Sequence, residues 1–222
     1  MCGRYTWIKN SIGQFKKLVK EPDFSPAPSF NRAPGQTHPV ISLDNGHVKW
    51  AKMTWGYQKT GKSKDFFPIN ARSETVAEKN IFKESFSKRR CLIPADGWFE
   101  WQVIEGTKYP HYLSPKQKEV FAFAGIWGQC SVDNSEKKVF SILTCNAPSN
   151  ISHIHHRAPL ALTENYWHTW LNGNHGSSIL PPKFQPKQPR WEGIQVSARV
   201  NYTKNNDPAL LEPFSGKQSL LF

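Results

Sequence analysis

Apolar positions recur at helical spacing in three short segments and at strand spacing in most of the others. From Ser11 to Lys20, Ile12, Phe15, Leu18 and Val19 fall on one face and Pro22 closes the run, which predicts a short helix. Glu74–Phe86 predicts a second helix. Thr163–Leu171 predicts a third, with Thr163 as N-cap and Glu164 in the first turn, where a carboxylate meets the positive end of the helix dipole. Val40–Leu43 and Val48–Trp55 flank an Asp44-Asn45-Gly46 turn and predict a hairpin. Val120–Trp127 and Val139–Cys145 are the clearest strands, joined by a polar turn over 133–138. Two proline-rich stretches, 22–39 and 181–190, are expected as loops, the first extended, structured and carrying Asn31-Arg32-Ala33-Pro34. Strands dominate without a regular βαβ alternation, so the expected class is α+β.

Composition narrows the partners. A chain of 222 residues predicts one domain. It has no apolar run of about 18 residues, so no membrane span is expected, and no apolar segment follows Met1 to serve as a secretory signal. Cys2, Cys91, Cys130 and Cys145 form no C-x-x-C pair and fit reduced thiols in a cytoplasmic protein. With 29 Lys and Arg against 17 Asp and Glu, the formal charge is +12 and spreads over both halves of the chain. That excess makes a polyanion the expected partner. No helix-turn-helix, zinc-finger or RRM pattern is visible. If nucleic acid binds, a basic groove with aromatic stacking, suited to single strands, is expected, most of the nine tryptophans being core residues.

Four places in the chain could carry chemistry. Removal of Met1, common before a small residue, would make Cys2 the terminus. An α-amine of pKa about 7.7–8.0 would then stand beside a thiol of pKa about 8.5, a pair able to close a five-membered ring on an aldehyde. Asn70 and Ser73 are turn and cap residues, or Asn70 orients a substrate oxygen while Arg72 holds a phosphate. Glu100, in the box Trp98-Phe99-Glu100-Trp101, is expected to be partly desolvated, which raises a carboxyl pKa and suits acid/base work; the alternative is an ion pair with a nearby arginine. Asp96 reads as a turn residue. His153, His155 and His156 could be loop residues, a catalytic imidazole or, with distant ligands, a metal site. We expect no metal and no cofactor.

The boxes Met1-Cys2-Gly3-Arg4-Tyr5, Asn70-Ala71-Arg72-Ser73-Glu74, Asp96-Gly97-Trp98-Phe99-Glu100-Trp101 and Ile154-His155-His156-Arg157-Ala158-Pro159, in this order, resemble the SOS-response-associated peptidase family, whose members shield abasic sites in single-stranded DNA by covalent crosslinking. The resemblance implies a mainly antiparallel, barrel-like β core with peripheral helices, one domain over 2–207 and a tail over 208–222. It implies Cys2 as the nucleophile, with Asn70, Glu100 and His155 as catalytic partners. Arg4, Arg72 and Arg157 are then expected to contact phosphates or order the pocket. The implied partner is single-stranded DNA containing abasic sites, bound by a monomer. His156 and Ala158 depart from the family pattern, which carries Asp and a larger residue there. The competing readings are a thiol peptidase using Cys2, His155 and Glu100 or Asn70, and a non-catalytic DNA-binding module.

Overall fold

The computed structural model describes residues 2–8, 11–44, 46–58, 66–117, 119–132, 135–172 and 186–216. In chain order these form β1 (Arg4–Trp7), β2 (Ser29–Arg32), β3 (Thr37–Asp44), β4 (His47–Trp55), β5 (Tyr57–Gln58), β6 (Phe66–Phe67), β7 (Asn70–Arg72), α1 (Asn80–Lys88), β8 (Arg90–Ala95), β9 (Gly97–Ile104), β10 (Thr107–Pro115), β11 (Phe121–Val132), β12 (Ser135–Asn146), β13 (Arg157–Pro159), β14 (Ala161–Thr163), α2 (Glu164–Asn172) and β15 (Trp191–Gln195). Single 3-10 turns lie at Ser11–Phe15, Ala198–Asn201 and Pro208–Leu211.

Strands β12, β4, β3, β8 and β11 pair in that order, and β11 pairs back to β12, closing a five-strand barrel. Closure satisfies strand edges that would otherwise template aggregation. The β4–β12 join is parallel, with Thr54 opposite Val139; the other four joins are antiparallel. All six residues of β8, Arg90-Cys-Leu-Ile-Pro-Ala95, are buried, since this strand has neighbours on both faces. A second antiparallel sheet runs β15-β10-β9-β1-β2. Its β9 alternates between two cores: Trp98 packs with Phe123 and Trp191 in the main core, while Phe99 packs with Tyr112, Val196, Val200 and Leu210 in a smaller one. The class is α+β, dominated by sheet, with two helices among the described residues.

Several local expectations need correction. The segment Ser11–Lys20 is a 3-10 turn over Ser11–Phe15 followed by further turns. The helix expected from Glu74 starts only at Asn80, because the Ser73 N–H donates to the Thr144 carbonyl (2.9 Å) and Glu74 is held by Arg157, so residues 73–78 are drawn into turns. The proline-rich 22–39 holds β2 and the start of β3. In the turn over 133–138, β12 already begins at Ser135, and 133–134 lie outside the described residues, as do 181–185 of the second proline-rich stretch. Residues 208–216 do not hang free. Leu210 is fully buried in the smaller core, and the Phe214 N–H donates to the Gln195 carbonyl (2.9 Å).

Candidate active site

The start of the chain is built into the second sheet. Arg4, Tyr5 and Thr6 pair with Phe99, Trp98 and Gly97. Asp96, in the tight β8–β9 connection, clamps the strand from its end: its N–H donates to the Thr6 carbonyl (2.9 Å) and its carboxylate accepts the Ile8 N–H. The Tyr5 ring lies against His38, Trp55 and Phe123. Anchored this way, Cys2 enters the main core with no exposed surface.

Asn70 reaches Cys2 from the barrel side. Its strand, β7, runs parallel to β12 with Asn70 opposite Ile142, and its Nδ2 donates to the Cys2 carbonyl at 2.9 Å. Gly56 sets this approach. It has φ 65°, and a Cβ there would lie 2.4 Å from Ile69 Cγ2; only glycine tolerates both demands. The Trp55 indole N–H donates to the Ile69 carbonyl (2.9 Å) and fixes the same segment. The Asn70 Oδ1 is buried without a hydrogen-bond partner among the described residues.

Glu100 follows Phe99 on β9 and points to the opposite face, the one that carries Trp98. It is 4% exposed, so the expected desolvation is present. The aromatic box does not enclose it as a unit, however. Phe99 and Trp101 pack in or against the smaller core, and the Trp101 indole N–H donates to Asn201 Oδ1 (2.9 Å). The Glu100 carboxylate acts electrostatically on both Cys2 and His155, which brings residues from three distant parts of the sequence into one site.

His155 sits on a loop docked over this face. The Gln102 side chain donates to the His153 carbonyl (3.1 Å), and Ile154 lies over Gly193, where a Cβ would come within 2.8 Å of its Cδ1. His155 Nδ1 accepts the Arg157 N–H at 2.9 Å and also lies 3.1 Å from the Arg157 carbonyl. Main chain therefore orients the ring, and the exposed His156 stacks on it with centroids 4.4 Å apart. Burial lowers the His155 pKa, opposed by Glu100. Burial, then the Glu100 charge, pushes the Cys2 thiol well above the usual cysteine range.

The three arginines differ. Arg157 is buried, and its guanidinium forks onto Glu74 (2.6 and 2.8 Å) while also donating to Asn146 Oδ1 (2.8 Å) and the Thr144 carbonyl (2.7 Å). It is fixed beneath the loop and has little left to offer a phosphate. Arg72 is exposed. Arg4 is half-buried, with Nη1 donating to the Gly3 carbonyl (2.8 Å) and Nε lacking an acceptor among the described residues. No group of three His, Cys, Asp or Glu suited to a metal occurs among the described residues. Sequence reasoning missed Glu74 as the partner of Arg157 and Gln102 as the loop's anchor, because each acts across a long sequence separation without local signal. It took Asp96 for an ordinary turn residue, although its turn position is what lets it clamp β1.

A closed barrel, a flanking sheet and a buried cysteine next to the chain start, met by a carboxamide, a carboxylate and an imidazole, define a class of protein organised around that cysteine. The family described as SOS response associated peptidase (SRAP) matches residues 1–203, and the chain belongs to it. It is 33% identical to the abasic site processing protein YoqW of Bacillus subtilis, over 96% of this chain and 99% of that protein. It is 28% identical to the abasic site processing protein YedK of Escherichia coli, over 96% and 100%. An X-ray structure of a Bacteroides thetaiotaomicron protein superposes with TM-score 0.81 at 22% identity, covering 96% of this chain and all of that one.

Proposed function

We propose that this protein processes abasic sites in single-stranded DNA by forming a covalent crosslink through Cys2 once Met1 is removed. The observation that carries this is the convergence of Asn70, Glu100 and His155 on Cys2, in a chain whose relatives are named for abasic site processing. An abasic sugar exists mainly as a closed hemiacetal. His155 moves the proton that opens the ring, exposing the aldehyde. Glu100 takes a proton from the Cys2 ammonium, and the free amine attacks the aldehyde carbon. Loss of one water gives the imine. The thiol then adds across the C=N bond, its sulfur bonding to carbon and its proton passing to nitrogen, which closes a thiazolidine without any change of oxidation state. Asn70 holds the Cys2 carbonyl, leaving its Oδ1 to receive the amine or a sugar hydroxyl.

Burial favours the neutral thiol over the thiolate, which supports amine-first chemistry over a thiol-peptidase mechanism, where a thiolate must attack first. Exposed Arg72 and half-buried Arg4 are the arginines placed to meet phosphate, and Arg157 orders the pocket. All four central groups come from one chain, which supports action as a monomer. The test is a denaturing gel of Met1-free protein with a single-stranded oligonucleotide carrying one abasic site. We expect a slow-migrating adduct that is lost in Cys2→Ala, and strand cleavage by β-elimination in Cys2→Ser, where the imine forms but the thiol is missing. An adduct of normal yield from Cys2→Ala overturns the proposal.

A further inference from the structure

We propose that His111 is a positioning residue of this site, taking from Glu100 the proton that Glu100 collects from the Cys2 amine and delivering it to solvent. This rests on the crosslinking chemistry above. In β10, His111 is directly opposite Glu100 of β9. Directly paired residues of an antiparallel ladder project from the same face, with Cβ atoms about 4.5–5.5 Å apart. Two residues along β9, Gln102 holds the His153 carbonyl; two along β10, Leu113 packs in the main core beside Gly193 and Ile154. His111 therefore lies under the loop that carries His155, level with Glu100 across the ladder.

The ring's tautomer suits this task. His111 Nδ1 lies 2.9 Å from the Tyr109 carbonyl, and a carbonyl only accepts, so Nδ1 carries the hydrogen and Nε2 of the neutral ring keeps its lone pair. His111 is half-buried where Glu100 is sealed, so its ring reaches water that the carboxylate does not. The charged group opposite it in the ladder is Glu100 on β9, His153 on the loop acts on it electrostatically, and its partner on β15, Gln195, is neutral. Burial and His153 lower its pKa against the Tyr109 hydrogen bond, which keeps the ring an acceptor at neutral pH. The balance is one proton. An ammonium N–H breaks as the Glu100 O–H forms, that O–H breaks as Nε2–H forms, and the imidazolium releases the proton to water.

The experiment is single-turnover crosslinking of Met1-free protein between pH 5 and 8, comparing wild type, His111→Gln, and His111→Gly with and without added imidazole. Binding to an undamaged single strand is measured alongside. We expect His111→Gln to slow adduct formation by about tenfold or more at pH 7 with unchanged binding. The acid-side slope of log rate against pH should fall by one proton, and imidazole should restore part of the rate to His111→Gly. A variant with wild-type rate and slope overturns the proposal, as does a slowed variant with unchanged slope and no imidazole rescue, which marks a structural role. If wild type itself forms no adduct, the crosslinking reading fails and the relay falls with it.

Discussion

Arg157 shows how burial reassigns a charge. By sequence it is a candidate to contact phosphate or to order the pocket; in the fold it holds Glu74, Asn146 and Thr144 and thereby seats the loop that carries His155. Glu74→Gln should cost about 2 kcal/mol in urea unfolding, since hydrogen bonds to charged groups are worth about 1.5–3 kcal/mol. Arg157 holds the Glu74 carboxyl below its usual range. That contribution is present above the unfolded carboxyl pKa of about 4.3 and is lost as pH falls from there through the folded value. The variant's stability should accordingly fall less steeply than wild type's below about pH 4.3. Asn70→Ala removes the bond to the Cys2 carbonyl while leaving β7 paired to β12, so crosslinking should slow by about tenfold or more with little change in melting temperature. A wild-type rate in that variant would show that Asn70 does not position Cys2.

At the level of elements, legibility followed local sequence signals. The β3–β4 hairpin and the β11–β12 pair were readable because turn residues and alternating or β-branched runs mark them. Strand β9 was not, because Trp98 and Phe99 are buried on opposite faces in different cores and leave no alternation to see. The short strand carrying Asn70 has no periodicity at all and exists because Gly56 and Trp55 press Ile69 against the barrel. Gly56→Ala should cost about 2–4 kcal/mol, combining a left-handed backbone penalty with overpacking. It should also slow the reaction by displacing Asn70, a pairing of effects that melting and rate measurements on the same sample would check. His38 reports on the β2–β3 corner. The Arg32 guanidinium donates to its Nδ1 (3.1 Å), so Nε2–H donates to the Ala33 carbonyl (3.1 Å) and the ring is neutral. Burial, helped by Arg32, lowers its pKa to about 3. Unfolded, the ring takes up a proton near 6.5, so its contribution is intact above that pH and is lost as pH falls from 6.5 toward 3. His38→Gln should flatten the melting temperature profile across that window; an unchanged profile would place the acid sensitivity elsewhere.

For the whole molecule, Cys2, Asn70, Glu100 and His155 stood in the sequence as separate candidates, made a set only by the family resemblance, while their convergence needed the fold. The +12 charge makes a polyanion the expected partner without saying where it would lie. Affinity for single strands should fall with salt, with a log–log slope near −0.7 for each phosphate neutralised, and Arg72→Ala should make that slope shallower by about one such contact. A salt-independent affinity would contradict electrostatic holding of the strand. The most direct test of the central claim is the intact mass of Met1-free protein after reaction with a single-stranded abasic oligonucleotide. We predict a species at the summed masses of protein and oligonucleotide less one water, absent when Met1 is retained. No mass increase in fully Met1-free protein, or the same adduct with Met1 still in place, would contradict it.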